Sequence, residues 1–363
     1  MPDRNFRICL PIEQQPQGGM YTFLGYFRAY MTNIGISITN DIQDRYDVLF
    51  VNSWKVDAKS VYKAKIRDRE CRIVQRVDGS AWDYGRRDDA DKRQARVNIL
   101  ADLTIFQSQY CKYSTMSKFH VISQDGPVIY NPVDVSVFCP EGEKAELPGE
   151  IKVAHVTYST NPRKGAKSLL EIARHNPDLA FFFIGPYESL PHLSNVHRLG
   201  YVDRQTLPQV LRSCSVFVHT AENDPCPNVV LEALASGLPV LYKDSGGTPE
   251  LVGNAGVPVE VENFRQQLEQ VLSKRTEFSQ AARYRAVMHF APGVIFPQYL
   301  QAIATASRRP LPNWKDKVDL YRRILPLMLR RQRVTLTDRS SQLRSRLVAK
   351  INRTMATLLM RVK

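Results

Sequence analysis

Apolar runs of four to eight residues alternate with longer stretches of helical periodicity from residue 6 to residue 290. FRICLPI (6–12), DVLFVNSW (47–54), CRIVQRV (71–77) and LTIFQS (103–108) read as buried strands. Between them, MYTFLGYFRAYMTNIG (20–35) and the segments 57–69 and 87–101 place apolar residues at helical spacing, and PVIYNPVD (127–134) closes the series. PEGEKAELPGE (140–150) is polar and rich in Pro, Gly and Glu, as a linker is. The pattern then restarts. IKVAHVTYS (151–159), LAFFFIG (179–185), SVFVHT (215–220), GLPVLYKD (237–244) and GVPVEV (256–261) read as strands. KSLLEIARHN (167–176) and the long stretch 264–290 read as helices. Strands that alternate with helices predict parallel, doubly wound sheets. The expected organisation is two Rossmann-like domains, residues 1–145 and 146–305, with a ligand cleft between them, followed by a helical tail at 306–363.

Charge sharpens the division. The 363-residue chain carries a net charge of +14. Residues 308–363 hold 16 Lys and Arg against 3 Asp, whereas the preceding residues hold 34 basic and 33 acidic side chains. Leu343, Leu347, Ile351, Met355, Leu359 and Val362 recur at helical spacing, with Arg344, Arg346, Lys350, Arg353 and Arg361 between them. This basic amphipathic pattern suits an anionic membrane surface; its bland reading is a helix that packs its apolar stripe on the protein. Absence of aromatic interleaving argues against nucleic acid as the partner. No run of about 18 apolar residues is present, which excludes a membrane-spanning helix on sequence grounds. The N-terminal residues lack the apolar core of a secretion signal. Six cysteines (Cys9, Cys71, Cys111, Cys139, Cys214, Cys226) show no CxxC spacing, so we expect reduced thiols, no zinc site and a cytoplasmic setting.

The candidate chemistry lies in DPCPNVVLEALASGLPV (224–240), directly after the strand SVFVHT. Pro227 suits a first helical position, and Asp224 or Asn228 could cap the amides there. The free amides that follow Pro227, at Asn228 and Val229, would form an anion site for a diphosphate. Glu232, one turn further, would face back to the same mouth, so that Asp224 and Glu232 could both accept hydrogen bonds from sugar hydroxyls. Two acids on an ordinary capped helix are the plain alternative. In TYSTNPRKG (157–165), Lys164 with Arg163 follows a strand in the manner of a phosphate clamp, or of an ordinary basic surface turn. Gly18 and Gly19 open a helix after the first strand. Asp78, beside Arg76, ends the third strand, where it is either an acceptor-orienting carboxylate or a turn-starting Asp before Gly79. Asp89-Ala-Asp91 has the spelling of a metal motif but reads as a solvated first helical turn, and His219 as a packed strand end.

These motifs resemble the nucleotide-sugar signature of retaining glycosyltransferase family 4 (glycosyl transferases group 1). That signature is two acids eight residues apart, a small-residue helix, Gly237-Leu-Pro239-Val240, and Gly246-Gly247-Thr-Pro-Glu250. The resemblance spans most of residues 1–305 and is strongest in the second half. It implies a GT-B fold with two Rossmann-like domains facing across a cleft. It also implies a hexosyltransferase that takes a sugar from a nucleotide-diphosphate donor to a hydroxyl acceptor, such as a lipid-linked glycan, with retention. No metal and no cofactor are implied. By the same resemblance Asp224 contacts the sugar, Glu232 the ribose and Lys164 the donor phosphates, while Gly18 and Gly19 face the donor. The chain departs from the pattern in three places: Asp224 replaces a Glu, Asp78 a His, and Ser159 falls where a clamp Arg is expected. The competing readings are a tethered, non-catalytic sugar-nucleotide scaffold and a GT-B epimerase.

Overall fold

The computed structural model describes residues 6–15, 18–86, 88–119, 126–308, 310 and 313. The first sheet has five parallel strands in the order β2-β1-β3-β4-β5. They are β1 (Arg7–Cys9), β2 (Ser37–Thr39), β3 (Val48–Asn52), β4 (Arg72–Val77) and β5 (Leu103–Phe106), connected by α1 (Gly19–Asn33), α2 (Ala58–Arg67) and α3 (Ala90–Leu100); α4 (Gln109–Phe119) follows β5. The second sheet has six parallel strands in the order β11-β10-β9-β6-β7-β8. These are β6 (Lys152–Val156), β7 (Ala180–Ile184), β8 (Val196–Gly200), β9 (Val216–His219), β10 (Val240–Tyr242) and β11 (Gly256–Pro258). Their helices are α5 (Ala166–His175), α6 (Thr206–Ser213), α7 (Asn228–Ala235), α8 (Thr248–Val252), α9 (Phe264–Ser273) and α10 (Arg275–Phe290). Strands β3, β4, β7 and β9 are buried along their whole length, as strands covered by helices on both faces must be.

Both sheets reverse direction of growth once, between β1 and β3 and between β6 and β9. Loops leaving the carboxyl ends of strands at such a reversal splay apart and leave a crevice. Gly18 and Gly19 follow β1, Lys164 follows β6 and Asp224 follows β9, so four of the sequence candidates sit at the two reversals.

Packing divides the chain differently from composition. Ile129 lies in the first core, whereas Val133 and Phe138 already belong to the second. The polar segment expected to be a free linker is fastened to α6, because the Arg212 guanidinium donates to the carbonyls of Val137, Cys139 and Glu143. The last helix, α11 (Pro292–Arg308), which composition assigns to the second domain, returns to the first. Its Ile295, Phe296, Tyr299 and Ile303 are buried with Phe23, Phe27 and Phe50. Phe27 stacks on Phe50 at 4.8 Å and meets Phe296 edge-on at 5.7 Å, arrangements that aromatic quadrupoles favour. The chain therefore passes between the two cores twice.

PVIYNPVD forms no strand; Val128 makes only an isolated bridge with Phe106. The predicted helix 264–290 is two helices that meet at Lys274. All six cysteines are free. No described helix is long and apolar enough to cross a membrane. Apart from the end of α11, the predicted amphipathic tail lies outside the described residues.

Candidate active site

The turn after β6 is built to present Lys164. The Asn161 side chain accepts from the Arg163 amide at 3.0 Å, and Pro162 starts a single 3-10 turn that ends at Gly165. Asp224 comes from the loop after β9 and is 6% exposed. Its backbone carbonyl accepts from the Gly247 amide at 2.8 Å. Gly246 has φ +68°, and a Cβ there would lie 2.4 Å from the Asp224 carbonyl oxygen, so this turn against the acid requires glycine. The two loops bring Lys164 Nζ to 2.6 Å from Asp224 Oδ2. Burial raises the Asp224 carboxyl, but the ammonium outweighs it and holds the group below the usual carboxylate range. Burial likewise disfavours the Lys164 charge, and Asp224 and Tyr84 together hold it above its ordinary value. The pair is ionised.

Helix α7 begins beside this pair. Pro227 is its N-cap rather than its first helical residue, and no side chain caps the helix. Asn228 does not serve its own helix start as expected. It accepts from Asn131 Nδ2 at 2.8 Å and donates to the Gly19 carbonyl at 3.2 Å, which brings the Gly18–Gly19 turn of the first domain against α7. Val229 follows in the first turn and is half-buried. Glu232 lies one turn on. Its Oε2 is buried without a hydrogen-bond partner. Burial pushes this carboxyl up to about 7, against the pull of Arg204. Arg204 itself joins the two domains, donating to the Tyr26 hydroxyl of α1 at 2.5 Å and to Asp134 at 3.2 Å.

Asp78 stands at the carboxyl end of β4. Asn52 donates to its Oδ2 at 2.9 Å, and Arg76 to its Oδ1 at 3.0 Å; Gln107 also donates to Oδ1. Burial nonetheless dominates and raises its pKa. About a third of the side chain remains exposed, which leaves the carboxylate able to meet a ligand. Three side chains of the first domain therefore fix the Asp78 carboxylate in place. Arg76, 1% exposed, also reaches Asn52, Asn131 and the Tyr299 hydroxyl.

Two further expectations change. Arg163 is not directed at an open phosphate site: its guanidinium is paired with Glu222 at 3.2 Å, and Glu222 also holds Lys243 at 2.8 Å. Asp91 is not a solvated first-turn residue. It is buried and accepts from the amides of Ala81 and Trp82 at 2.7 and 2.8 Å, which fixes the loop after Asp78. Its neighbour Asp89 is the exposed one, paired with Arg93. His219 is packed, as expected, beside His155; burial holds their rings at about 3 and 4, so both are neutral. Among the described residues no three His, Cys, Asp or Glu side chains converge on a common metal position.

Two residues without an assigned role in the sequence reading are prominent in the geometry. Tyr84, from the loop after β4, lies over Lys164, with Nζ 5.3 Å from its ring centre. Glu250, in α8, accepts from the amides of Gln109 and Tyr110 at 2.8 and 2.7 Å and from the Tyr130 hydroxyl at 3.1 Å, capping α4 from across the cleft. Only the Gly-Gly-x-x-Glu spelling pointed to Glu250, and nothing local pointed to Tyr84.

Two parallel sheets of this topology, joined by a helix that returns to the first, with charged groups gathered at the carboxyl ends of both, define a GT-B protein. Solved structures agree on the fold. Anabaena HepE, in its complex with UDP-glucose, superposes with a TM-score of 0.63 at 16% identity, over 83% of this chain and 100% of that one. Residues 153–274 match the family model of glycosyl transferases group 1. Spore coat protein SA of Bacillus subtilis is 23% identical over 267 residues, which is 63% of this chain and 69% of the relative. An Escherichia coli UDP-Gal:alpha-D-GlcNAc-diphosphoundecaprenol alpha-1,3-galactosyltransferase is 24% identical over 246 residues, 58% of this chain and 61% of the relative. Residues 153–274 thus resemble the glycosyl transferases group 1 within a chain that has the GT-B fold.

Proposed function

We propose that the protein transfers a hexosyl group from a nucleotide-diphosphate sugar to an acceptor hydroxyl with retention of configuration, in the assembly of a surface polysaccharide or glycolipid. One observation carries this reading. A buried Lys–Asp pair, Lys164 with Asp224, lies at the reversal of the second sheet, beside the uncapped start of α7. In this reading the amides near Asn228 and Val229 and the Lys164 ammonium receive the diphosphate. Asp224 accepts from the sugar hydroxyls, and Glu232 accepts from the ribose with its free oxygen. Asp78 orients the acceptor hydroxyl, and Gly18 and Gly19 let the first domain approach the donor. The bond from the anomeric carbon to the diphosphate breaks with its electron pair on the diphosphate. The acceptor oxygen bonds to that carbon, and its proton passes to a diphosphate oxygen. Catalysis then rests on positioning and on charge offered to the leaving group.

The names of the relatives support the donor class: HepE is seen with UDP-glucose, and the E. coli relative uses UDP-Gal and a lipid-diphosphate acceptor. An acceptor of that kind would suit the basic C-terminal segment, which we place on the anionic cytoplasmic face of a membrane. The test is a thermal-shift panel with uridine, guanosine and adenosine diphosphates and their sugar conjugates, followed by an assay for released nucleoside diphosphate. A ligand at 100 times its dissociation constant adds roughly 2.7 kcal/mol of stability. Binding with acceptor-dependent release supports transfer. Conversion of the donor without acceptor would make the protein an epimerase, and binding without turnover would make it a scaffold.

A further inference from the structure

A donor diphosphate needs more than one cationic or hydrogen-bonding side chain, and the second domain offers few. Lys164 is available only by exchanging Asp224 for the ligand. Ser159 stands where the resemblance expects an arginine, and its hydroxyl accepts from the Asn161 amide at 3.2 Å. Arg163 is held by Glu222. The missing group comes from the other domain.

Residues 79–86 leave β4 just after Asp78 and cross to the second domain. Both sides hold this loop. From the first domain, Asp91 takes the amides of Ala81 and Trp82, and the Ser114 hydroxyl donates to Asp83 at 2.8 Å. From the second, Asn161 Nδ2 donates to the Tyr84 carbonyl at 2.9 Å and Asn223 Nδ2 to the Asp83 carbonyl at 2.8 Å. Gly85 has φ +81°, and a Cβ there would lie 2.9 Å from Arg163 Nε, so the loop rests directly on the turn that carries Lys164. The outcome is a half-buried Tyr84 ring beside the Lys164 ammonium, its centre 5.3 Å from Nζ. Burial and the Asp224 charge push the phenol up to about 12, so it remains a proton donor at neutral pH.

We propose that Tyr84 is a diphosphate-binding residue supplied across the cleft. When the donor enters, Lys164 turns from Asp224 to the phosphates, and the Tyr84 hydroxyl donates a hydrogen bond to a phosphate oxygen alongside it. Tyr84 thereby takes the place of the absent arginine, and the phosphate site is complete only when the two domains are together. This inference rests on the donor reading above.

The test is Tyr84→Phe in the full chain, which keeps the ring and every backbone tether of the loop. Dissociation constants are measured calorimetrically for uridine, guanosine and adenosine and for their diphosphates, together with turnover at saturating sugar donor. A hydrogen bond to a charged phosphate predicts that the preferred diphosphate binds about tenfold or more weakly to the variant, while the matching nucleoside binds as before. Turnover falls with it. Equal diphosphate affinity and turnover in the two proteins would overturn the assignment while leaving the donor reading intact. An equal loss for nucleoside and diphosphate would also overturn it, by making Tyr84 an architectural residue. Failure of the wild type to bind any of the diphosphates would remove the donor reading and this inference together.

Discussion

Replacing Lys164 with Met removes one charge from a buried pair and leaves the other. Asp224 is 6% exposed and its only ion-pair partner among the described residues is Lys164, at 2.6 Å. Breaking a buried pair from one side costs about 3–5 kcal/mol, because the remaining charge is stranded. For a chain of this size the melting point should fall on the order of 5–10 °C at pH 7. The pH dependence identifies the cause. In the wild type the Asp224 carboxyl is held below its ordinary value, so its contribution is present above the unfolded pKa and is lost as pH falls through the folded one. In the variant, burial acts alone and raises that pKa. The ionised carboxylate then costs stability at neutral pH, and protonation relieves the cost as pH falls toward about 4. The gap between the two proteins should therefore narrow on acidification. Lys164→Met/Asp224→Leu, which removes both charges, should recover most of the loss. Scanning calorimetry from pH 4 to 7.5 measures both effects. A gap independent of pH, or a double variant no more stable than the single one, would refute the buried-pair argument. Turnover of Lys164→Met should fall at least tenfold, equivalent to about 1.4 kcal/mol of barrier.

Three further outcomes are expected. Glu232→Gln should weaken donor binding while the fold survives. Because the Glu232 carboxyl is raised to about 7, its favourable contribution is complete below its unfolded pKa and is lost as pH rises through 7, so the variant should lack that decline in melting temperature between roughly pH 4.5 and 7. Glu250→Ala removes the carboxylate that caps α4 from the second domain, and should increase the radius of gyration in solution scattering and raise the acceptor KM; an unchanged scattering profile would remove Glu250 from any part in domain closure. Truncation after Ser307 should leave a folded body that no longer sediments with anionic vesicles, and a full chain that fails to sediment would end the membrane reading.

The fold was legible because its central strands are continuous apolar runs and its helices carry apolar stripes. Every strand anticipated in the second domain forms. The misses have physical reasons. β2 is three half-exposed residues on a sheet edge, with too little burial to pattern its sequence. α4, QYCKYSTMSKF, has no apolar stripe, and its start is fixed by Ser108 and by Glu250, which lies 141 residues from Gln109. PVIYNPVD has a strand's apolar content, but its prolines remove two ladder donors, and the segment serves as a crossing between cores instead. The site shows the same split. Lys164 and Asp224 were legible from short motifs that each fold locally, on adjacent strands of one sheet. Their contact was not, because 60 residues separate them. The commitment of Arg163 to Glu222 depends on two loops of the second sheet that lie 59 residues apart, and the approach of Tyr84 on a loop that crosses from the first domain; neither leaves a periodic trace.

The arrangement around Arg76 explains why so much of this site is contributed in pieces. A guanidinium presents donors in a fixed planar fork, and here each edge is used by a different part of the chain. Nε reaches the Tyr299 hydroxyl on the returning helix, Nη1 reaches Asn52 and Asp78 on the first sheet, and Nη2 reaches Asn131 in the crossing segment. Asn131 continues to the Cys226 carbonyl and to Asn228 at the start of α7, and Asn228 returns to Gly19. The candidate acceptor carboxylate and the candidate donor helix are thus ends of one hydrogen-bonded circuit that passes through both crossings between the domains. Such a circuit is satisfied only when all its members are in register, since any buried donor left open costs more than its bond contributes. The Asp78 carboxylate and the candidate phosphate site at α7 are therefore positioned by the same contacts. In a transferase that must bring a hydroxyl to an anomeric carbon, that shared positioning does for two separate domains what a single rigid pocket does for a smaller enzyme.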